Sequence, residues 1–123
     1  MSQLLRRVEA LLPLAEALCR ALREEVRKLG FADASIIIPG PDAATYRFDR
    51  DPALGTDSLV GEWRDSQGQR CGMLLFHADG SFFAEHDVIQ LHPANPRWFV
   101  EAVNAWGRDG DIRAEPRLMP VVA

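Results

Sequence analysis

Apolar residues recur at alternating steps of three and four positions along the first thirty residues. Between Gln3 and Leu29 the charged residues lie on other faces, which is typical of an amphipathic helix. The apolar positions are Leu4, Val8, Leu11, Ala15, Leu18, Leu22, Val26 and Leu29. Gly30 suits the left-handed conformation that ends a helix, and Arg27 and Lys28 complement the negative end of its dipole. The pattern therefore predicts a long helix that ends at Gly30.

Pro13 lies inside this helical pattern. Proline lacks a backbone N–H, and its ring crowds the preceding turn of a helix. We therefore expect the helix either to bend near Leu12 or to begin anew with Pro13 in its first turn.

Beyond Phe31 the pattern changes to the two-residue period of β-strands. The β-branched run Ser35–Ile38, the alternating pair Tyr46 and Phe48, and the segment Leu59–Arg64 each predict a strand. Turn residues and a polar loop separate the three segments.

Two apolar runs between Cys71 and Gln90 flank the dipeptide Asp79-Gly80, which is typical of a tight hairpin turn. With a two-residue loop, Met73 lies opposite His86. This register puts Phe83, Leu74, Phe76 and Ile89 on one face of the hairpin, and Phe82, Leu75, Met73 and Val88 on the other. Both faces would then be apolar near the turn.

The last third of the chain suggests a second helix. Asn95 is a suitable N-cap, Pro96 suits the first helical position, and Gly107 suits the end. The apolar stripe of this helix would be Phe99, Ala102, Val103 and Trp106. The terminal segment from Ile112 to Val122 contains two prolines, which restrict it to an edge strand or coil.

These elements predict one α+β domain over residues 1–123. It has a long N-terminal helix, an antiparallel meander sheet of about five strands, and a C-terminal helix packed on the sheet. A chain of 123 residues with 47% hydrophobic residues is large enough to bury a core of its own.

Charge narrows the class of partner, because acidic residues outnumber basic ones by 18 to 14 and the formal net charge is −4. Proteins that bind nucleic acids gain most of their affinity from Lys and Arg, so no nucleic-acid partner is expected. No apolar run is long enough to cross a membrane, and Glu9 interrupts the N-terminal apolar stretch, unlike a signal peptide. We expect a protein of a bacterial-type cytoplasm, in which Cys19 and Cys71 stay reduced.

Three histidines raise the question of a metal site. In the predicted hairpin His77 and His86 lie four residues apart on one face, about 13 Å from each other, which is too far to share one zinc ion. Only His86 and His92 could share an ion. The chain also lacks nucleophile elbows, phosphate-binding loops and dinucleotide-binding motifs. We therefore expect no cofactor, no metal site and no catalytic residues.

The remaining candidates are binding residues. Glu85 and Asp87 share one side of their strand, and Arg97 and Trp98 are residue types enriched in binding hot spots. The candidate set is Glu85, His86, Asp87, His92, Arg97 and Trp98.

The order of elements and the hairpin segment LLFHADGSFFAEHD, at residues 74–87, resemble the YezG-like family of small immunity proteins. In that family an aromatic residue is expected where this chain has His86. The resemblance implies a cytosolic protein that binds and neutralises a toxin partner. An acidic surface would suit a basic nuclease.

The leading hypothesis is a non-enzymatic protein-interaction module such as an immunity protein of this kind. The alternative is a small-molecule-binding domain or small enzyme with a cleft between hairpin 71–90 and the last helix, which would use Glu85, His86, Asp87 and His92. The apolar stripe of the first helix also offers a surface for a homodimer, which is compatible with either hypothesis.

Overall fold

The computed structural model describes residues 2–32 and 35–121 and contains one α-helix and a six-stranded sheet. The elements are α1 (Gln3–Leu29), a short 3₁₀ turn (Pro41–Ala43), β1 (Thr45–Asp51), β2 (Thr56–Arg64), β3 (Arg70–Phe76), β4 (Ser81–Leu91), β5 (Trp98–Arg108) and β6 (Asp111–Pro120). Each strand pairs antiparallel with the next, in the order β1 to β6. The predicted α+β class and the meander are confirmed, with six strands instead of five.

Both ends of α1 are capped. The Ser2 hydroxyl accepts a hydrogen bond from the backbone N–H of Leu5 at 3.1 Å. At the other end Gly30 has a φ of +97°, and its N–H donates to the carbonyl of Arg27. A side chain at this φ would be strained, which is why glycine ends the helix where the sequence predicts.

Pro13 lies within α1 without ending it. The helix begins at Gln3, so a new start at Pro13 is not found. Pro13 and Glu9 are both exposed, and the Glu9 carbonyl that loses its helical partner therefore stays accessible to water.

The core lies between α1 and one face of the sheet, here called the covered face. From the helix it takes Ala15, Leu18, Cys19, Leu22, Val26 and Leu29, and from the sheet it takes Leu59, Trp63, Leu74, Phe76, Phe82, Ala84, Val88, Val100, Val103 and Ala105. The C-terminal half of the apolar stripe predicted for α1 is thus buried against the sheet of the same chain.

Residues 98–108 form β5 and not the predicted C-terminal helix. Glu101 forms a bulge, because Val100 pairs with Leu118 while Ala102 pairs with Arg117. The bulge puts Val100 and Val103, three residues apart, on the covered face, and this spacing resembles a helical period. Pairing with strands on both sides outweighs the helix-start signal in the sequence.

The segment that carries this helix-start signal is the turn between β4 and β5. The Asn95 side chain accepts a hydrogen bond from the N–H of Arg97 at 3.2 Å. Asn95 therefore caps a tight turn instead of a helix.

The run Ser35–Ile38 is also not a strand. Its last residue, Ile38, is buried in the core, and the Arg23 guanidinium donates to the Ile38 carbonyl at 3.3 Å. A side chain of α1 thus satisfies a backbone group that a neighbouring strand would otherwise bind.

The hairpin of β3 and β4 forms around Asp79-Gly80 as predicted, but its register differs by one residue. The N–H of His77 donates to the carbonyl of Ser81 at 2.9 Å, which leaves a three-residue loop that ends in Gly80 at φ +89°. Phe76 therefore pairs with Phe82, and His86 pairs with Gly72 instead of Met73.

The shift reverses the predicted faces of the aromatic residues. Phe82 joins Leu74 and Phe76 on the covered face, whereas Phe83 joins Leu75 and Met73 on the opposite face. The predicted grouping of Phe83 with Leu74 and of Phe82 with Leu75 is wrong, because one extra loop residue moves every partner to the other face.

The terminal segment forms an edge strand, β6, which was one of the two predicted alternatives. Its predicted last residue, Val122, lies outside the described residues. Within the described ranges, no helix is both long enough and apolar enough to cross a membrane.

Candidate functional site

The face of the sheet opposite α1, here called the open face, carries a continuous row of apolar side chains. Val60 pairs with Leu75, Leu75 with Phe83, and Phe83 with Trp106. Directly paired residues of antiparallel strands point to the same face, so these four side chains adjoin one another across β2 to β5. We call this set the apolar row.

The apolar row lies outside the main core. None of its four residues belongs to the cluster between helix and sheet. Val60 is only 3% exposed, whereas Leu75, Phe83 and Trp106 are partly exposed. Within the described residues, α1 and the segment leading into β1 both pack on the covered face, where Trp63 Nε1 donates to the Gly40 carbonyl at 3.0 Å. The described part of the chain therefore places no second layer on the open face.

Charged side chains flank the apolar row. Arg47 of β1 pairs with Val60 at one end, and Arg113 of β6 pairs with Trp106 at the other. The Arg47 guanidinium also donates to Glu62, and this hydrogen bond is the main reason that the pKa of Glu62 lies below its usual value.

A second charged group lies on the open face beside the apolar row, around Glu85, which is two residues beyond Phe83 along β4. Arg117 donates to both carboxylate oxygens of Glu85, at 3.0 and 3.2 Å, and its Nε lies 3.3 Å from Glu101. With its amide nitrogen turned toward Glu85, Asn104 adds a hydrogen bond at 2.9 Å. The bond to Glu85 is the main reason that the pKa of Arg117 is raised. Two carboxylates and one guanidinium are thus held in a fixed arrangement.

Asp87 lies next to this group on the open face, opposite Ala102. Burial raises the pKa of the Asp87 carboxyl above its usual value, and the neighbouring Glu85 carboxylate adds to the increase. Glu85 and Asp87 therefore share a face, as their spacing indicates.

His86 points to the covered face, away from its two acidic neighbours. It is 8% exposed, and its Nδ1 lies 2.7 Å from the backbone carbonyl of Asp87. The three consecutive residues Glu85, His86 and Asp87 therefore do not form a common site.

The other predicted binding residues lie at the turn between β4 and β5. His92 Nδ1 accepts hydrogen bonds from the N–H groups of Ala94 and Asn95, both at 3.0 Å. Arg97 is exposed in the same turn, and Trp98, the first residue of β5, is also exposed. His92 therefore acts as a cap of the turn. The predicted cleft between the hairpin and a last helix does not exist, because residues 98–108 are a strand.

Sequence reasoning missed a pocket of about 430 Å³ between the β1–β2 and β3–β4 loops. Ser58 Oγ lies 3.0 Å from His77 Nδ1 at this pocket, a distance suitable for a nucleophile and a base. Asp79, the nearest loop carboxylate in sequence, is instead bound by the Ser81 hydroxyl at 2.6 Å and by Arg108 at 3.0 Å. Among the described residues no acid bonds to the His77 ring, so the pair lacks an orienting group.

The pairing of Ser58 with His77 depends on the register of β2 against β3 and has no signature in the sequence.

In residues 2–32 and 35–121, no three His, Cys, Asp or Glu side chains lie close enough together to hold a metal ion. The open face is therefore the best-defined candidate site of the chain.

Comparison with protein-family models, curated proteins and solved structures finds no match to this chain. Its function is therefore inferred from its own geometry.

Proposed function

We propose that the chain is a non-enzymatic protein-interaction module that binds a partner protein across the open face. The observation that supports this function is the apolar row, which crosses four adjacent strands on a face without a second layer. Contiguous apolar surface on one side of a sheet is typical of a binding site for another protein.

The composition of the open face favours a protein as the ligand. Phe83, Trp106 and the adjacent Met73 are residue types enriched at the centres of protein interfaces. Arg47 and Arg113 flank the row, and arginine is a frequent hot-spot residue. A row of side chains that extends across four strands fits a folded partner better than a small molecule, which needs a concave pocket.

The ion pairs at the rim of the open face support specificity. Glu62 and Glu85 are each already bound to an arginine of the same chain. Rigid, paired charges select a partner whose own charges match their positions, and they reduce the cost of ordering side chains on binding.

The partner that we propose is a toxin, which the chain neutralises as an immunity protein. The formal net charge of −4 favours the approach of a basic protein such as a nuclease. This assignment follows the resemblance of residues 74–87 to the YezG-like family.

The experiment is affinity capture from the source organism, followed by purification of the captured protein and titration against variants of this chain. Leu75→Arg puts a charge in the middle of the apolar row, and Trp106→Ala truncates its largest side chain. Each variant should weaken binding by at least about 30-fold, as expected for a hot spot worth about 2 kcal/mol.

Leu54→Arg is the matched control, because Leu54 is 74% exposed in the β1–β2 loop, outside the apolar row. This variant should bind like the unmodified chain. Equal affinity of the Leu75 and Leu54 variants for the captured protein would overturn the proposed site. Capture of no protein would overturn the function.

A further inference from the structure

The two outer strands of the sheet, β1 and β6, each have one edge without a neighbouring strand. At such an edge every second residue directs its N–H and carbonyl away from the sheet, and these groups can pair with another chain. The residues that face each edge follow from the hydrogen-bond pattern of the hairpins.

In the β3–β4 hairpin the N–H of His77 donates to the carbonyl of Ser81, so the backbone of His77 faces β4. Backbone direction alternates along a strand, and Leu75 therefore also faces β4, while Leu74 and Phe76 face β2.

The same alternation continues through β2 to β1. Phe76 pairs with Leu59 and Val60 pairs with Arg47, without a bulge between these pairs. Leu59 therefore faces β3 and Val60 faces β1. On β1, Arg47 and Asp49 face β2, which leaves the backbone groups of Tyr46, Phe48 and Arg50 directed to the free edge.

The free edge of β6 is blocked by proline. The N–H of Val121 donates to the carbonyl of Arg97 at 2.8 Å, so odd-numbered residues at this end of β6 face β5. Pro116 and Pro120 therefore face the free edge, where they offer no N–H. Two of the donors that a neighbouring strand would need are missing from this edge.

The edge of β1 has no such protection, since Thr45–Asp51 contains no proline. We propose that β1 pairs antiparallel with β1 of a second copy of the chain, with Phe48 opposite Phe48 of that copy. In this register the three edge-facing residues form three hydrogen-bonded pairs, and each pair exchanges two bonds.

Charge selects this register over its neighbours. With Phe48 at the centre, Arg47 lies opposite Asp49 of the second copy on the open face, at a Cβ separation of about 5 Å. A shift of the centre to Arg47 places two arginines opposite each other, and a shift to Asp49 places two aspartates opposite each other. Both shifted registers also lose one of the three hydrogen-bonded pairs.

The side chains of β1 that lie on the covered face fit the same arrangement. Phe48 is 38% exposed, and the second Phe48 would cover it. Arg50 would lie opposite Tyr46 of the second copy. The two six-stranded sheets would then form one continuous sheet, with both open faces on the same side. The contact uses the backbone edge of β1 and none of the four side chains of the apolar row, although Arg47 borders both surfaces. It does not depend on the proposed function, and Asp49→Arg tests it without changing a residue of the apolar row.

The test is sedimentation velocity of the full chain over a concentration series from about 1 μM to 1 mM. The contact involves only one strand edge per chain, so we expect a weak dimer with a dissociation constant on the order of 10 μM. Asp49→Arg places arginines opposite each other and should raise this constant at least tenfold. Asp111→Arg, the same substitution on exposed Asp111 of β6, is the control and should leave it unchanged.

The double variant Arg47→Asp/Asp49→Arg restores opposite charges across the contact and should regain most of the association that Asp49→Arg loses. Hydrogen exchange gives a second measurement. At high concentration the amides of Tyr46, Phe48 and Arg50 should become protected, while those of β6 should not. A chain that stays monomeric throughout the series, or a dimer that Asp49→Arg leaves intact, would overturn the proposal.

Discussion

The imidazole of His86 lies against the indole of Trp63, with ring centroids 5.8 Å apart and ring planes inclined by 53°. Both rings lie on the covered face, and Gly72 lies beside them. The aromatic contact and the hydrogen bond to the Asp87 carbonyl give His86 a structural role in the core. The central residue of the predicted binding set thus belongs to the packing of the domain.

Gly72 should not tolerate a side chain. A Cβ at this position would lie 2.7 Å from the Glu85 carbonyl oxygen, 2.8 Å from the Trp63 ring and 2.9 Å from the His86 ring. We expect Gly72→Ala to lower the free energy of unfolding by about 2–3 kcal/mol in urea titrations, because backbone and rings must both shift. Gly68→Ala, where no heavy atom lies within 4 Å, should lose only about 1 kcal/mol from its φ of +79°. An equal loss in both variants would contradict this explanation.

Ile89 has a φ of +52°, which is unusual for a β-branched residue. Its side chain is 61% exposed, so little burial compensates for the strain. Ile89→Gly should therefore raise the free energy of unfolding by about 0.5–1 kcal/mol, the relief of strain less the entropy cost of glycine. Leu91→Gly, at an exposed strand position with negative φ, should lower it by about 1 kcal/mol. Destabilisation by both variants would show that the conformation of Ile89 carries no strain.

Asp87 should make stability depend on pH. Its pKa is raised in the folded state, so the folded chain binds this proton more tightly than the unfolded chain does. The free energy of unfolding then falls as pH rises from about 3.9, the unfolded value, through the folded pKa. Asp87→Asn removes this loss, so the variant should be more stable than the unmodified chain at pH 7, and the difference should shrink as pH falls toward 4.

Urea titrations at several pH values measure this difference. Asp111→Asn, the same substitution at an exposed position of β6, is the matched control. An Asp87→Asn variant that is less stable than the unmodified chain at pH 7 would contradict the prediction.

The two cysteines are both free thiols and should differ in reactivity. Burial raises the pKa of Cys19 from 9.0 to about 11. Burial also raises the pKa of Cys71, but that thiol is only partly buried. A two-unit rise lowers the thiolate fraction about a hundredfold, and the buried sulfur is also shielded from reagents. Iodoacetamide at pH 8 should therefore modify Cys71 in the folded chain and leave Cys19 unmodified, as followed by mass spectrometry. In concentrated urea both should react at similar rates, and equal rates in the folded chain would contradict the prediction.

The sequence predicts the elements whose signals are local. Both Gly30 at the end of α1 and Asp79-Gly80 in the β3–β4 loop act through the backbone angles of a few residues, and both are found where expected. The regular period of α1 also identifies the residues that it buries, such as Leu18 and Leu22.

The candidate site could not be predicted in the same way, because it depends on which face each strand residue occupies. One extra loop residue before Ser81 places Phe83 on the open face. The bulge at Glu101 gives the apolar residues of β5 a spacing that resembles a helical period. The pairing of Ser58 with His77 likewise depends on strand register. Such features follow from contacts between distant residues, which periodicity in a single chain does not describe.

The order of α1 and β6 along the chain has a consequence for synthesis on the ribosome. Part of the cover for the apolar side chains of α1 comes from β6, whose Ile112 and Ala114 pack against the core, and β6 is the last strand of the sheet to be made. The nascent chain can bury some of these side chains against the earlier strands, but the remainder stays exposed until β6 has emerged. Chains that stop before Asp111 should therefore offer this remaining apolar surface to chaperones.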